Sequence, residues 1–262
     1  MKDLSPYLQP HHILIHGTKG LDVQLTDEEL LSDDLKLKRS DIMTMSEVIE
    51  DESIVKRVGS LAGPNLAGEI AATQPAGAVI ASRFDEVINE GQKAIRSGRF
   101  QIYRNHDLLG VEFSGALKNI IAIAAGALSG LGLGENARAL LVTKGMGEML
   151  RIGVALGAEK SAFLGLAGIG DLMATCTSPL SRNYTVGYRL ATGETLSQIL
   201  ENITEVAEGV KTVKIIKAVC EHSNITAPLV TVIHRVLFKD FPVKNGLDLL
   251  MKYPYDIDVD FL

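Results

Sequence analysis

GALKNIIAIAAGALSG, residues 115–130, is the stretch on which the reading of this chain turns. Apolar and small residues cover every side of the helix it spells, so the helix belongs inside a core. One charge, Lys118, interrupts it. Positions three and four away from Lys118 are Ser114, Gly115, Ile121 and Ala122, three of them small. Small neighbours leave space above the ammonium for a ligand to approach. An unpaired buried ammonium costs several kcal/mol or shifts its pKa. Such a lysine suits polarising a carbonyl or moving a proton. The alternative is a snorkelling side chain whose stem packs while its head reaches water.

Downstream of Asp107 the helical period persists. VEFSGALKNIIAIAAGALSG, ENARALLVTKGMGEMLRIGVAL, SRNYTVGYRLATG, AEGVKTVKIIKAVCEHS and APLVTVIHRVLFKD all carry it. Residues 108–262 are therefore predicted to form an all-α domain. Upstream the pattern is mixed. HILIHGTKG, AGAVIAS (76–82) and FQIYRNHD read as strands, and DEVINEGQKAIRSGRF reads as an exposed helix. Residues 1–107 are predicted to form an α/β domain with a largely parallel sheet. The charged stretch over 27–58 reads as a surface insertion with a helix near Ser46–Val58.

The totals exclude several classes. Hydrophobic residues make up 46% of 262, enough for a real core. A net charge of −6 gives no footprint for nucleic acid or an anionic membrane. Glycines, polar residues and Lys118 break the longest apolar run, so no membrane span is predicted. Cys176 and Cys220 alone make no disulfide framework, which points to the cytoplasm. No cysteine–histidine cluster has zinc spacing. The bunched His11, His12 and His16 lie in or beside a strand, so no metal site is predicted.

Three further segments carry chemistry. AGIGDLMATCTSPLSRN (167–183) gathers Asp171, Thr175, Ser181, Arg182 and Asn183 in what reads as a turn-rich segment. Arg182 offers a planar fork for phosphate, Asn183 a neutral donor, and Asp171 can orient an ammonium such as Lys118. Equally, Ser181 can simply cap the next helix. LAGPNLAGEIA (61–71) is a glycine–proline turn opening a helix, whose N-terminus favours anions. HGTKGLD (16–22) puts Lys19 just past a strand end, where open α/β sheets bind ligands.

Taken in order, HGTKGLD, GPNLAGEIA, GVEFSGALKNIIAIAAG, GLGENARALLVTKGMGEM, GLAGIGDLMATCTSPLSRNYTVG and VAEGV resemble bacterial NAD(P)-dependent glycerol-3-phosphate dehydrogenases over nearly the whole chain. The resemblance implies a Rossmann-type domain followed by a helical domain like that of 6-phosphogluconate dehydrogenase. It implies interconversion of sn-glycerol 3-phosphate and dihydroxyacetone phosphate with NAD or NADP, feeding glycerophospholipid synthesis. It also implies residue roles. Lys118 matches the catalytic acid–base lysine, with Lys19 and Asp171 as catalytic partners. Gly63, Asn65, Asn119, Thr175, Ser181, Arg182 and Asn183 fall on the substrate side, together with Lys19 and Asp171. Ala67, Val206 and Glu208 fall on the cofactor side, with Lys19 and Arg182. Many members carry serine or threonine where this chain has Asn65. A homodimer through the helical domain is expected by analogy.

The family opens with a strand, a G-x-G-x-x-G turn and a helix that cradle the cofactor pyrophosphate. No such unit stands ahead of HILIH, so the chain is expected to lack roughly 70 residues of that domain, at ~30 or more per βαβ unit. Gly132, Gly134 and Ala137 fit G-x-G-x-x-A, but no strand precedes them and they join two apolar helices. The competing reading is a catalytically silent fragment, or a helical binding or assembly module that lost the cofactor cradle. The residues that choose NAD or NADP follow a strand of the absent part.

Overall fold

The apolar run becomes the axis of the molecule. In a computed structural model, which describes residues 1–26, 29, 32, 35–202 and 207–253, it lies in a helix over Leu108–Gly130 (α4). Asp107 starts this helix, and its carboxylate accepts from Gly110 N at 2.9 Å. The helix is long and apolar enough by composition to cross a membrane. However, 89% of that window is buried by the rest of the chain, so it is a core helix. Phe113, Ala116, Leu117 and Ile120 are at most 1% exposed.

Around α4 pack α5 (Glu135–Ala155), α6 (Lys160–Leu164), α7 (Asp171–Thr177), α8 (Arg182–Ala191), α9 (Leu196–Glu201), α10 (Glu208–His222), α11 (Pro228–Phe238) and α12 (Val243–Met251). The closest crossing is α4 on α8. A Cβ at Gly187 would fall 1.7 Å from the Ile123 carbonyl oxygen, and one at Gly126 would fall 1.8 Å from that of Tyr184. Both neighbours are backbone, so neither helix can give way by turning a side chain. Gly187→Ala is therefore expected to lower stability by about 3 kcal/mol or more, at the upper end of overpacking, as read by urea unfolding. An unchanged midpoint would show that the crossing is looser than this.

The other layer is a four-stranded sheet in the order β1 (Ile13–His16), β4 (Arg57–Ala62), β5 (Ala76–Ala81), β6 (Phe100–Asn105). A small ribbon pairs β2 (Asp22–Val23) with β3 (Ile42–Met43). β1 runs parallel to β4 and β5 parallel to β6, while β4 and β5 are antiparallel. The Rossmann-like α/β layer and helical layer thus appear as expected, with one reversal inside the sheet. It arises because only the short α2 (Ala67–Ala71) joins β4 to β5, with no crossover helix. The true crossover from β5 to β6 is α3 (Asp85–Ile95), which buries Val87, Ile88 and Gly91 against the sheet rather than lying fully exposed.

Two readings need correction. From Leu35 onward the charged stretch is no surface insertion. Leu37, Ile42, Ile49, Val55 and Val58 are buried in it, its helix α1 spans Met45–Glu52 rather than reaching Val58, and it runs into β4. Charges between the apolar residues hid the stripe that each element buries. The segment 167–183 is mostly helical: a π-turn over Leu166–Gly170 leads directly into α7, and only a short turn precedes α8.

Candidate functional site

Helix α4 delivers Lys118 to a cavity of about 190 Å3 between the two layers. The surrounding helices bury the side chain, so that Lys118 is 4% exposed and meets solvent only through this cavity. Its Nζ donates to Asp171 Oδ1 at 2.6 Å and to the Thr175 hydroxyl. The other carboxylate oxygen, Oδ2, accepts from Lys19 Nζ at 2.6 Å. Asp171 and Thr175 are one turn apart on α7, so a single helix face presents both. Thr175 Oγ1 in turn donates to the Asp171 carbonyl at 2.6 Å.

Lys19 comes from the loop after β1, at the carboxyl end of the strand. Its stem passes over Gly115 of α4, where an added Cβ would sit 3.5 Å from Lys19 Cγ. One aspartate thus bridges two ammonium groups. Burial is the main force on Lys118 and lowers its pKa from 10.5 to about 8. The Asp171 charge opposes that fall and Lys19 adds to it.

Helix N-termini surround the rest of the cavity. Ser181 caps α8, its hydroxyl accepting from Tyr184 N at 3.3 Å, and Arg182 is the first residue of that helix. Asn183 Oδ1 accepts from Gly209 N at 3.0 Å and so fixes α8 to the start of α10. Glu208 opens α10. Burial raises the pKa of its carboxyl, against the pull of Arg182, Lys19 and Lys118. Asn65 Oδ1 is buried in this wall with no hydrogen-bond partner among the described residues. Lys19, Lys118 and Arg182 stand against Asp171 and Glu208, three cationic groups to two acidic ones. That balance and the helix N-termini suit a phosphate-bearing ligand.

The structure brings together Lys19, Asn65, Lys118, Asn119, Asp171, Thr175, Ser181, Arg182, Asn183 and Glu208. It does not bring Gly63 or Ala67 to the cavity wall. Gly63 turns the chain out of β4 at φ +138°, close against Ala78, and Ala67 is the exposed first residue of α2. Val206 lies outside the described residues. Sequence reasoning missed Leu66, Ala174 and Leu180, which also line the cavity. Ala174 was within reach, since it precedes Thr175 on the same helix. His16 has left the histidine bunch. It is buried beside Glu112, while the rings of His11 and His12 pack 4.5 Å apart.

The residues present fit one end of a dinucleotide better than the other. Asn65, with its unmatched acceptor, Arg182 and Glu208 offer polar contacts at the cavity. Among the described residues, no G-x-G-x-x-G turn follows a strand and opens a helix. Gly132 and Gly134 lie between α4 and α5.

Two family models match the chain. The NAD-dependent glycerol-3-phosphate dehydrogenase N-terminus covers residues 1–88, and the C-terminus of the same family covers residues 107–248. The chain is 44% identical to glycerol-3-phosphate dehydrogenase [NAD(P)+] of Teredinibacter turnerae over 98% of its own length and 71% of the relative's. It is 40% identical to the protein of that name from Ectopseudomonas mendocina, over 97% and 74%. The crystal structure of glycerol-3-phosphate dehydrogenase from Coxiella burnetii superposes with a TM-score of 0.83 at 31% identity, covering 96% of this chain and 72% of that one.

Proposed function

Because this chain belongs to the NAD-dependent glycerol-3-phosphate dehydrogenase family, we propose that the cavity between its two layers interconverts sn-glycerol 3-phosphate and dihydroxyacetone phosphate, with Lys118 as the acid–base group. The reaction is an oxidoreduction that uses NAD or NADP and feeds glycerophospholipid synthesis. The observation that carries the role of Lys118 is its ammonium, 4% exposed and held at 2.6 Å by Asp171 inside a cavity that also presents Arg182.

In the oxidative direction neutral Lys118 takes the proton of the C2 hydroxyl. In the reductive direction its ammonium polarises the C2 carbonyl and returns that proton. Asp171 and Thr175 aim the nitrogen, and Lys19 holds Asp171. Arg182, Ser181, Asn183 and the N-terminus of α8 hold the phosphate, while Asn119 and Asn65 contact the glycerol portion. A bound nicotinamide would supply hydride transfer, and Glu208 and Arg182, which line the cavity, would help hold it. No pyrophosphate contact is assigned to this chain. Residues 1–107 serve as the cofactor unit and 108–262 as the substrate unit. Buried free thiols at Cys176 and Cys220 support a cytoplasmic enzyme, and a homodimer belongs to the same reading by analogy.

The test is dihydroxyacetone phosphate-dependent oxidation of NADH and NADPH by the 262-residue chain, followed against pH. Reduction needs charged Lys118 and is expected to fall as pH rises through about 8. Glycerol 3-phosphate oxidation needs the neutral amine and is expected to rise through the same value. Absence of turnover from a folded chain would instead favour a catalytically silent relative. Activity with 3-hydroxyisobutyrate and none with glycerol 3-phosphate would overturn the substrate.

A further inference from the structure

Glu112 lies outside the cavity and takes no part in the chemistry above. It is nonetheless a carboxylate only 6% exposed, and burying one is costly unless it is paired. It occupies the stripe of α4 that continues, at helical spacing, through Gly115 to Lys118 and Asn119. Its partners come from two other elements. Ser46 at the start of α1 donates its backbone N–H to Oε1 at 2.8 Å and its hydroxyl to Oε2. His16, the last residue of β1, places its buried Nε2 3.1 Å from Oε1, within ion-pair range but outside hydrogen-bond geometry. Three residues later the chain reaches Lys19, whose stem crosses Gly115. The stripe therefore carries an anchor for the β1 loop, a groove for its lysine and the reacting lysine, in that order.

We propose that Glu112, through His16, is a positioning residue that clamps the β1 loop onto α4 and so keeps Lys19 on the Asp171 carboxylate that orients Lys118. This rests on the reading of Lys118 given above. The bond to Ser46 is a separate matter. It fixes α1, whose first-turn N–H group Glu112 satisfies. The inference predicts that losing the His16 contact loosens Lys19, whereas losing the Ser46 hydroxyl does not.

The titration of Lys118 reports on Lys19 directly, because the Lys19 charge helps hold Lys118 low. The other charged groups lining that cavity are Asp171 from α7, Arg182 from α8 and Glu208 from α10. The experiment is an NMR titration of 13C-labelled lysine side chains in the full chain, with the Lys118 signal assigned by its loss in Lys118→Ala. It needs neither cofactor nor turnover, so its result is distinct from success or failure of the catalytic reading. The parent should titrate near 8. Lys19→Ala should move Lys118 upward by roughly one pH unit. Glu112→Gln should move it in the same direction, and the double variant no further than Lys19→Ala alone. His16→Gln repeats the Glu112→Gln result should that variant fold poorly. Ser46→Ala should lower stability and leave the titration in place. A parent-like titration in folded Glu112→Gln and His16→Gln, or additive shifts in the double variant, overturns the proposal.

Discussion

Lys118→Ala is expected to lower kcat in both directions by about 10^3-fold, within the range for losing a positioned general acid–base group. The fold should survive. The removed side chain leaves Asp171 still paired with Lys19 at 2.6 Å, so no buried charge is orphaned. The space opened lies beside an existing polar cavity that water can fill. The loss should therefore appear in kcat rather than in the unfolding midpoint. The pH dependence near 8 should vanish with it, because the group that titrates there is gone. Circular dichroism and urea unfolding establish the fold, and steady-state rates across pH establish the role. A folded variant turning over at the parent rate would sink the assignment.

The contrast with a snorkelling lysine is instructive. From GALKNIIAIAAGALSG alone that reading stands, since one helix cannot show what surrounds it. The all-round apolarity of α4 was legible and led to its central position. What was not legible was where the ammonium goes. Its partner Asp171 is 53 residues away, and Lys19 is 152 residues from that same aspartate. No periodicity links such positions. Only the ordered motifs placed them together. Strand β4 was hidden for a different reason. Arg57-Val-Gly-Ser-Leu-Ala is short and weakly apolar, and it follows directly on a charged helix. It becomes a strand because β1 and β5 pair with it on both sides. Tertiary pairing thus overrode a weak local signal. Glu112 was read as part of a motif and nothing more, because Ser46 and His16 become its neighbours only after three elements have packed.

Asp171→Asn is expected to damage stability and turnover together, because it acts on both lysines at once. The native carboxylate gives one oxygen to each ammonium. An amide can accept from one and must turn an N–H toward the other. Two cations then face each other in a site where Lys118 has almost no access to water. Breaking a buried pair in this way costs about 3–5 kcal/mol. The lower end is expected here, since the Lys19 side chain is 25% exposed and can swing outward. Without the Asp171 charge, the pKa of Lys118 falls further below about 8. A lysine whose folded pKa is depressed makes the fold release a proton that the unfolded chain keeps. Its penalty is full below the folded pKa and fades as pH rises toward the ordinary 10.5. The stability defect of Asp171→Asn should therefore be large at about pH 7 and much smaller at about pH 10. Turnover should fall by 10^2-fold or more at about pH 7, since reduction requires the charged lysine that this variant disfavours. A uniform defect across pH would instead mean that Asp171 supports the fold of α7 without governing the charge on Lys118.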